Sequence, residues 1–211
     1  MVRVESRVVW KKRLYRGLVA LFTCGILAVA WLLFVFLPNP HRTSDEQYGV
    51  YSAYIEDGLT GDSHSLGDRR GIVIIAADAT MGAGVNMVQR LRFSVFAFHN
   101  LRKRTNPPRP MLICRFLWIN LRRHRFDRHF SISSDYELLD PLALSLETFH
   151  ERFPHSYGYM TFSSVAFSND GATALFYTEH LCGLCGGGKY VVMQKSRDKW
   201  TVVNRYSTWV S

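Results

Sequence analysis

Cysteine is scarce in this chain, with four in 211 residues. That is too few for the disulfide framework on which many small secreted scaffolds depend. No second C-x-x-C accompanies Cys182 and Cys185, and no H-x-H pair exists, so the sequence holds no local tetrad for structural zinc. No N-x-[ST] sequon occurs, which fits a bacterial envelope protein better than a eukaryotic secreted one. No unit repeats at a fixed period, which excludes solenoids and propellers. Acidic residues are also few: 17 against 26 lysines and arginines, for a formal charge of +9.

That charge is uneven. Arg3, Arg7, Lys11, Lys12, Arg13 and Arg16 against Glu5 place +5 in the first sixteen residues. Between Arg90 and Arg128 eleven cations face one acid, Asp127. Aromatic side chains are plentiful, so a packed interior is expected over most of the length.

From Gly17 to Leu37 the chain runs 21 residues without a charge, Asn, Gln or Pro. At about 1.5 Å per residue such a helix spans roughly 30 Å, the thickness of a hydrocarbon core. The expectation is a single-pass inner-membrane anchor in contact with lipid through Gly17–Leu37. The cations before it put the N-terminus in the cytoplasm and the rest of the chain in the periplasm or outside the cell. Two alternatives stand beside it. Ala28-Val29-Ala30 resembles a signal-peptide cleavage site, and Leu21-Phe22-Thr23-Cys24 resembles a lipoprotein signal. The expected division is a basic tail over 1–16, a transmembrane helix over 17–37, a linker over 38–43 and an extracytoplasmic α+β domain over 44–211.

In that domain Ser44 and Gln47 form a capping box. Tyr48, Tyr51, Tyr54, Ile55 and Leu59 follow at helical spacing. A buried strand is expected over 71–80, a helix over 87–101, a strand over 111–121, and short helices over 135–140 and 146–153. Four strand-like runs close the chain, over 159–167, 172–181, 189–195 and 200–210. Asn169-Asp170-Gly171 and Arg197-Asp198-Lys199 mark turns between them. This predicts an α+β fold: a four-stranded antiparallel meander with helices packed on one face.

The pattern Phe153-Pro154…Gly158-Tyr159…Ser163-x-Val165-x-Phe167…Cys182-Gly-Leu-Cys185-Gly-x-Gly188…Trp200-x-Val202…Trp209-Val-Ser211 resembles the C-terminal part of uncharacterised exported domains of soil bacteria such as acidobacteria. It covers about 60 residues. The resemblance implies a fold and an exported address, and carries no activity.

Cys182 and Cys185 form the sharpest local feature. In thioredoxin-like enzymes a helix N-terminus stabilises the thiolate, whereas here a strand is expected to follow. A hairpin-pinning disulfide in an oxidising compartment, a redox pair, and half of a metal site completed by Cys114 and His180 are the open readings. Gly82-Ala83-Gly84 lacks the third glycine of a dinucleotide turn. Ser63 sits in a polar loop rather than after a strand, and His124, His129, His150, His155 and His180 have no carboxylate or nucleophile at a telling spacing. No cofactor is expected, and the balance lies against an enzyme.

The basic belt is the other candidate. Arg102, Lys103, Arg104, Arg122, Arg123, Arg125 and Arg128 interleave with Phe116, Trp118 and Phe126. Outside the cytoplasm nucleic acid is not an expected partner. The expectation is a binding module that engages an envelope protein or an anionic polymer, with the thiol-based enzyme or metal-binding domain as the alternative.

Overall fold

A computed structural model describes residues 15–30, 43–61, 73–79, 96–121, 124–140, 149, 151–154, 156, 158–181 and 186–210. The chain forms two compact units, Met1–Pro38 and Asn39–Ser211. The first unit holds a helix, α1, over 15–30. Its apolar side chains are exposed, and Thr23 Oγ1 donates back to the Val19 and Ala20 carbonyls at 2.9 Å. The expected membrane span is corrected here: no helix among the described residues is long and apolar enough to cross a membrane. The signal-anchor reading loses its support with it, and residues 31–37 of the expected span lie outside the described residues.

The second unit begins with α2, Asp45–Gly61. Its capping box is closed in both directions. The Ser44 N–H donates to Gln47 Oε1 at 3.2 Å, and the Gln47 N–H donates to Ser44 Oγ at 3.3 Å. Tyr48, Tyr51, Tyr54 and Ile55 are all buried, as their spacing predicted.

The further elements among the described residues include α3 over 96–102, α4 (Pro110–Ile119), and strands β1 (Val73–Ala76), β2 (Asp78–Ala79), β3 (His124–Arg125), β4 (Tyr136–Leu139), β5 (Tyr159–Phe162), β6 (Ala166–Phe167), β7 (Thr173–Leu181), β8 (Gly186–Ser196) and β9 (Lys199–Val210). Among the described residues the main sheet has seven strands, in the order β4-β1-β5-β7-β8-β9 with β6 beside β7. β1 pairs parallel with both β4 and β5, and all other pairings in this sheet are antiparallel. The sheet is therefore mixed, and the expected four-stranded antiparallel meander is corrected. A parallel pair needs a long crossover, a non-local relation that turn signals do not mark.

Both faces of the sheet are covered, where one was expected. Side chains alternate along each strand. Ala174, Phe176, Val191 and Met193 meet Tyr51, Tyr54, Ile55, Phe126 and Phe130 on the α2 side. Leu175, Tyr177, Tyr190 and Val192 meet Ala97, Leu101, Leu112, Ile113 and Phe116 on the α3–α4 side. Tyr51 is the hub of the first core. Its ring lies 5.1 to 6.1 Å from those of Phe126, Phe130, Phe162 and Phe176. Such pairs add about 0.5–1.5 kcal/mol each beyond area burial.

Three local assignments are also corrected. The strand expected over 111–121 is α4. Pro110 opens that helix, where a missing N–H costs nothing, and Leu112, Ile113 and Phe116 form its buried stripe. The helix expected over 135–140 is β4, held by its parallel register against β1. The strand expected over 159–167 is interrupted at 163–165, where Asn120 takes the Ser164 N–H and C=O in place of a neighbouring strand.

Candidate binding surface on the α3–α4 hairpin

Residues 103–109 join α3 to α4 and are tied to the outer strand of the sheet. The Arg104 guanidinium donates to the Ser207 carbonyl at 2.9 Å, and Tyr206 Oη donates to the Asn106 carbonyl at 2.6 Å. Asn106 takes a positive φ of 57°, a conformation asparagine tolerates better than most residues. Arg102 stands over the Phe98 ring at 5.7 Å, and Arg102, Lys103 and Arg104 are exposed.

One side of α4 is buried, and the other carries Met111, Cys114 and Trp118. Spaced i, i+3 and i+7, they share one helix face. Met111 is 68% exposed, Trp118 is 59% exposed and Cys114 is also exposed. Phe96 on α3 is 58% exposed. An apolar stripe open to solvent is unusual on a helix whose inner face already packs a core.

Arg115 flanks this stripe and is oriented by two acceptors, the Phe167 carbonyl at 2.8 Å and Asn169 Oδ1 at 2.6 Å. Arg109, Met111, Leu112 and Arg115 line a cleft of about 190 Å³ together with Ser168 and Asp170. The Asp170 carboxyl is held below the usual carboxylate range, first by the Ser168 hydroxyl and next by the Ala172 N–H. Among the described residues, none of Arg102, Lys103, Arg104, Arg109, Arg115, Arg125 and Arg128 forms an ion pair. The ion pairs present are Arg152–Glu137, Lys195–Glu46 and Arg205–Asp57.

Arg102, Lys103 and Arg104 precede α4, while Arg125 and Arg128 follow it. Arg122 and Arg123 lie outside the described residues, as do Cys182, Cys185, Ser63, His150, His155 and the Gly82–Gly84 turn. The cysteines that are described, Cys24 and Cys114, are free and exposed, and no disulfide forms among the described residues; the expected Cys182–Cys185 disulfide lies outside them. No group of three metal-ligating side chains occurs among them either.

Two histidines, His124 and His129, have structural partners that spacing did not reveal. Ser164 Oγ lies 2.8 Å from His124 Nδ1, a nucleophile–base distance, yet Ser164 is only 2% exposed. It is closed to a substrate and joins α4 to the break between β5 and β6. His129 stacks on Tyr48 with ring centroids 5.5 Å apart. The exposed α4 stripe itself escaped sequence reasoning, because reading 111–121 as a strand sent alternate residues to opposite faces. Comparison with known proteins gives no match to any protein family, curated protein or solved structure.

Proposed function

We propose that the domain is a binding module that captures an acidic protein segment carrying apolar side chains. The observation behind this reading is the solvent-open stripe Met111–Cys114–Trp118, edged by cations that form no ion pair among the described residues. Interface cores favour Met, Trp and Arg, and depend on a few such anchors. The apolar stripe supplies the anchoring area. Arg109 and Arg115 in the cleft supply charge complementarity and register, which govern encounter rate and specificity more than raw affinity.

The test is titration of the purified full chain with an amphipathic Glu-rich helical peptide, followed by calorimetry at increasing salt. Saturable binding is expected, weakening with salt and falling about tenfold or more in Trp118→Ala. Polyglutamate without apolar residues binds more weakly. Equal binding of polyglutamate and of a sulfated glycan would replace this reading with a polyanion site. Binding that ignores both salt and Trp118 would remove it.

A further inference from the structure

The sheet face beneath α3 and α4 carries a group of polar side chains distinct from the exposed α4 stripe. Cross-strand partners share a face, as do residues i and i+2 on one strand. Thr161 pairs with Glu179 and Tyr177 pairs with Tyr190, so all four project to the same side. Tyr177 Oη donates to Glu179 Oε1 at 2.9 Å and accepts from Trp209 Nε1 at 3.1 Å. Glu179 is therefore held in place by a hydroxyl that is itself held in place.

On the same face, the strands either side of β7 each carry a buried hydroxyl without a hydrogen-bond partner: Thr161 Oγ1 on β5 and Tyr190 Oη on β8. Thr161 is 4% exposed and Tyr190 is 1% exposed. Native structures seldom leave such groups unpaired. Burial first, then the neighbouring Tyr177 and Glu179, disfavour ionisation of Tyr190, so it stays a neutral hydroxyl. Glu179 itself is only partly buried, so the cluster has a side from which a small molecule can approach.

We propose that Glu179, Thr161 and Tyr190 form a receptor for the ammonium head of a small primary amine. An ammonium offers three N–H donors, matched here by a carboxylate and two hydroxyl oxygens that lack donors. The Tyr177 and Tyr190 rings lie 4.9 Å apart and the Trp209 indole meets the Tyr177 hydroxyl, and aromatic faces attract cations. A neutral hydroxylated compound would leave the Glu179 charge without a counter-charge, and an anion would be repelled. The site is independent of the α4 stripe and uses none of its residues.

The experiment is titration of the full chain with methylammonium chloride at fixed ionic strength, read by calorimetry, with sodium chloride and tetramethylammonium chloride as parallel arms. Saturable binding of methylammonium is expected, with no saturable binding of sodium. Tetramethylammonium has no N–H to donate, so its affinity is at least tenfold lower. Glu179→Gln and Tyr190→Phe each weaken methylammonium binding about tenfold or more. Thr161→Val does the same and serves if Glu179→Gln fails to fold. Without ligand, Tyr190→Phe melts at a higher temperature than the parent, because it removes a hydroxyl that has no partner. Failure of methylammonium to saturate, equal binding of sodium, tetramethylammonium binding as tightly as methylammonium, or variants with parental affinity would each overturn the proposal.

Discussion

Asn120 at the end of α4 holds Ser164 by both of its backbone groups. The amide Nδ2–H donates to the Ser164 carbonyl at 3.1 Å, and Oδ1 accepts the Ser164 N–H at 2.8 Å. One side chain here substitutes for a neighbouring strand at the place where β5 stops and β6 has not begun. Asn120→Ala strands two buried backbone groups, at about 1–3 kcal/mol each. The expected loss is about 2–6 kcal/mol, measured as a lower urea midpoint at unchanged m-value. Asn120→Asp keeps the acceptor and loses the donor, so it should fall between Ala and the parent.

Gly188 lies against Tyr177 and Trp209, and a Cβ there would collide with Tyr177 Oη and the Trp209 indole. Gly188→Ala therefore overpacks a filled site, with an expected cost of about 1–3 kcal/mol. Gly171, with φ 68° and open space around its Cβ position, suffers for a different reason, backbone strain alone. Thermal melting of both variants, with Tyr177→Phe added to each, separates the two. The added change should lessen the Gly188 defect and leave the Gly171 defect as it was.

The β8–β9 turn runs through Arg197 and Asp198, with φ of 47° and 64°. Two successive positive-φ residues suit the right-handed twist of a hairpin, but Asn-Gly adopts them at lower cost. The double substitution Arg197→Asn, Asp198→Gly is expected to stabilise the domain by about 0.5–1 kcal/mol. Differential scanning calorimetry should register this as a rise of a few degrees in Tm, about 2–4 °C for a domain of this size.

Burial pushes the Tyr177 hydroxyl up to about 12, and burial raises Tyr51 and Tyr190 as well. A tyrosine whose folded pKa lies above its unfolded value near 10 favours the folded state in its protonated form. That contribution is complete below pH 10 and declines as pH rises from 10 toward 12. Melting temperatures measured at pH 8, 10 and 11 should fall across the last interval, and Tyr177→Phe should flatten part of the decline.

How far the sequence foretold the fold depended on how local each signal was. The start of α2 is written in Ser44 and Gln47, and its buried side in the spacing of Tyr48, Tyr51 and Ile55. The turns at Gly171 and Asp198 were equally legible, because a turn is chosen by the residues within it. The place of β1 between β4 and β5 was not, since it joins Val73 to Tyr136 and Ile74 to Tyr159 across long stretches of chain. The short apolar run of α4 is ambiguous in period, and only its packing on Tyr177 and Tyr190 decides for a helix. The same ambiguity hid the binding surface. The arginines were visible, while Met111, Cys114 and Trp118 became neighbours only once wound on a helix. Glu179 gave no sign at all, because its flanking hydroxyls come from two other strands.

The grip of residues 103–109 on β9 has a consequence for behaviour in concentrated solution. Among the described residues β9 is hydrogen-bonded to a strand on one side only, and a long bare border of this kind invites another chain to zip onto it. Arg104 already occupies the Ser207 carbonyl, and Lys199 and Arg205 put charge along the rest of the border. Shortening the linker so that Arg104 is lost would strip that guard and should turn a well-behaved solute into one that forms thioflavin-positive particles as its concentration rises.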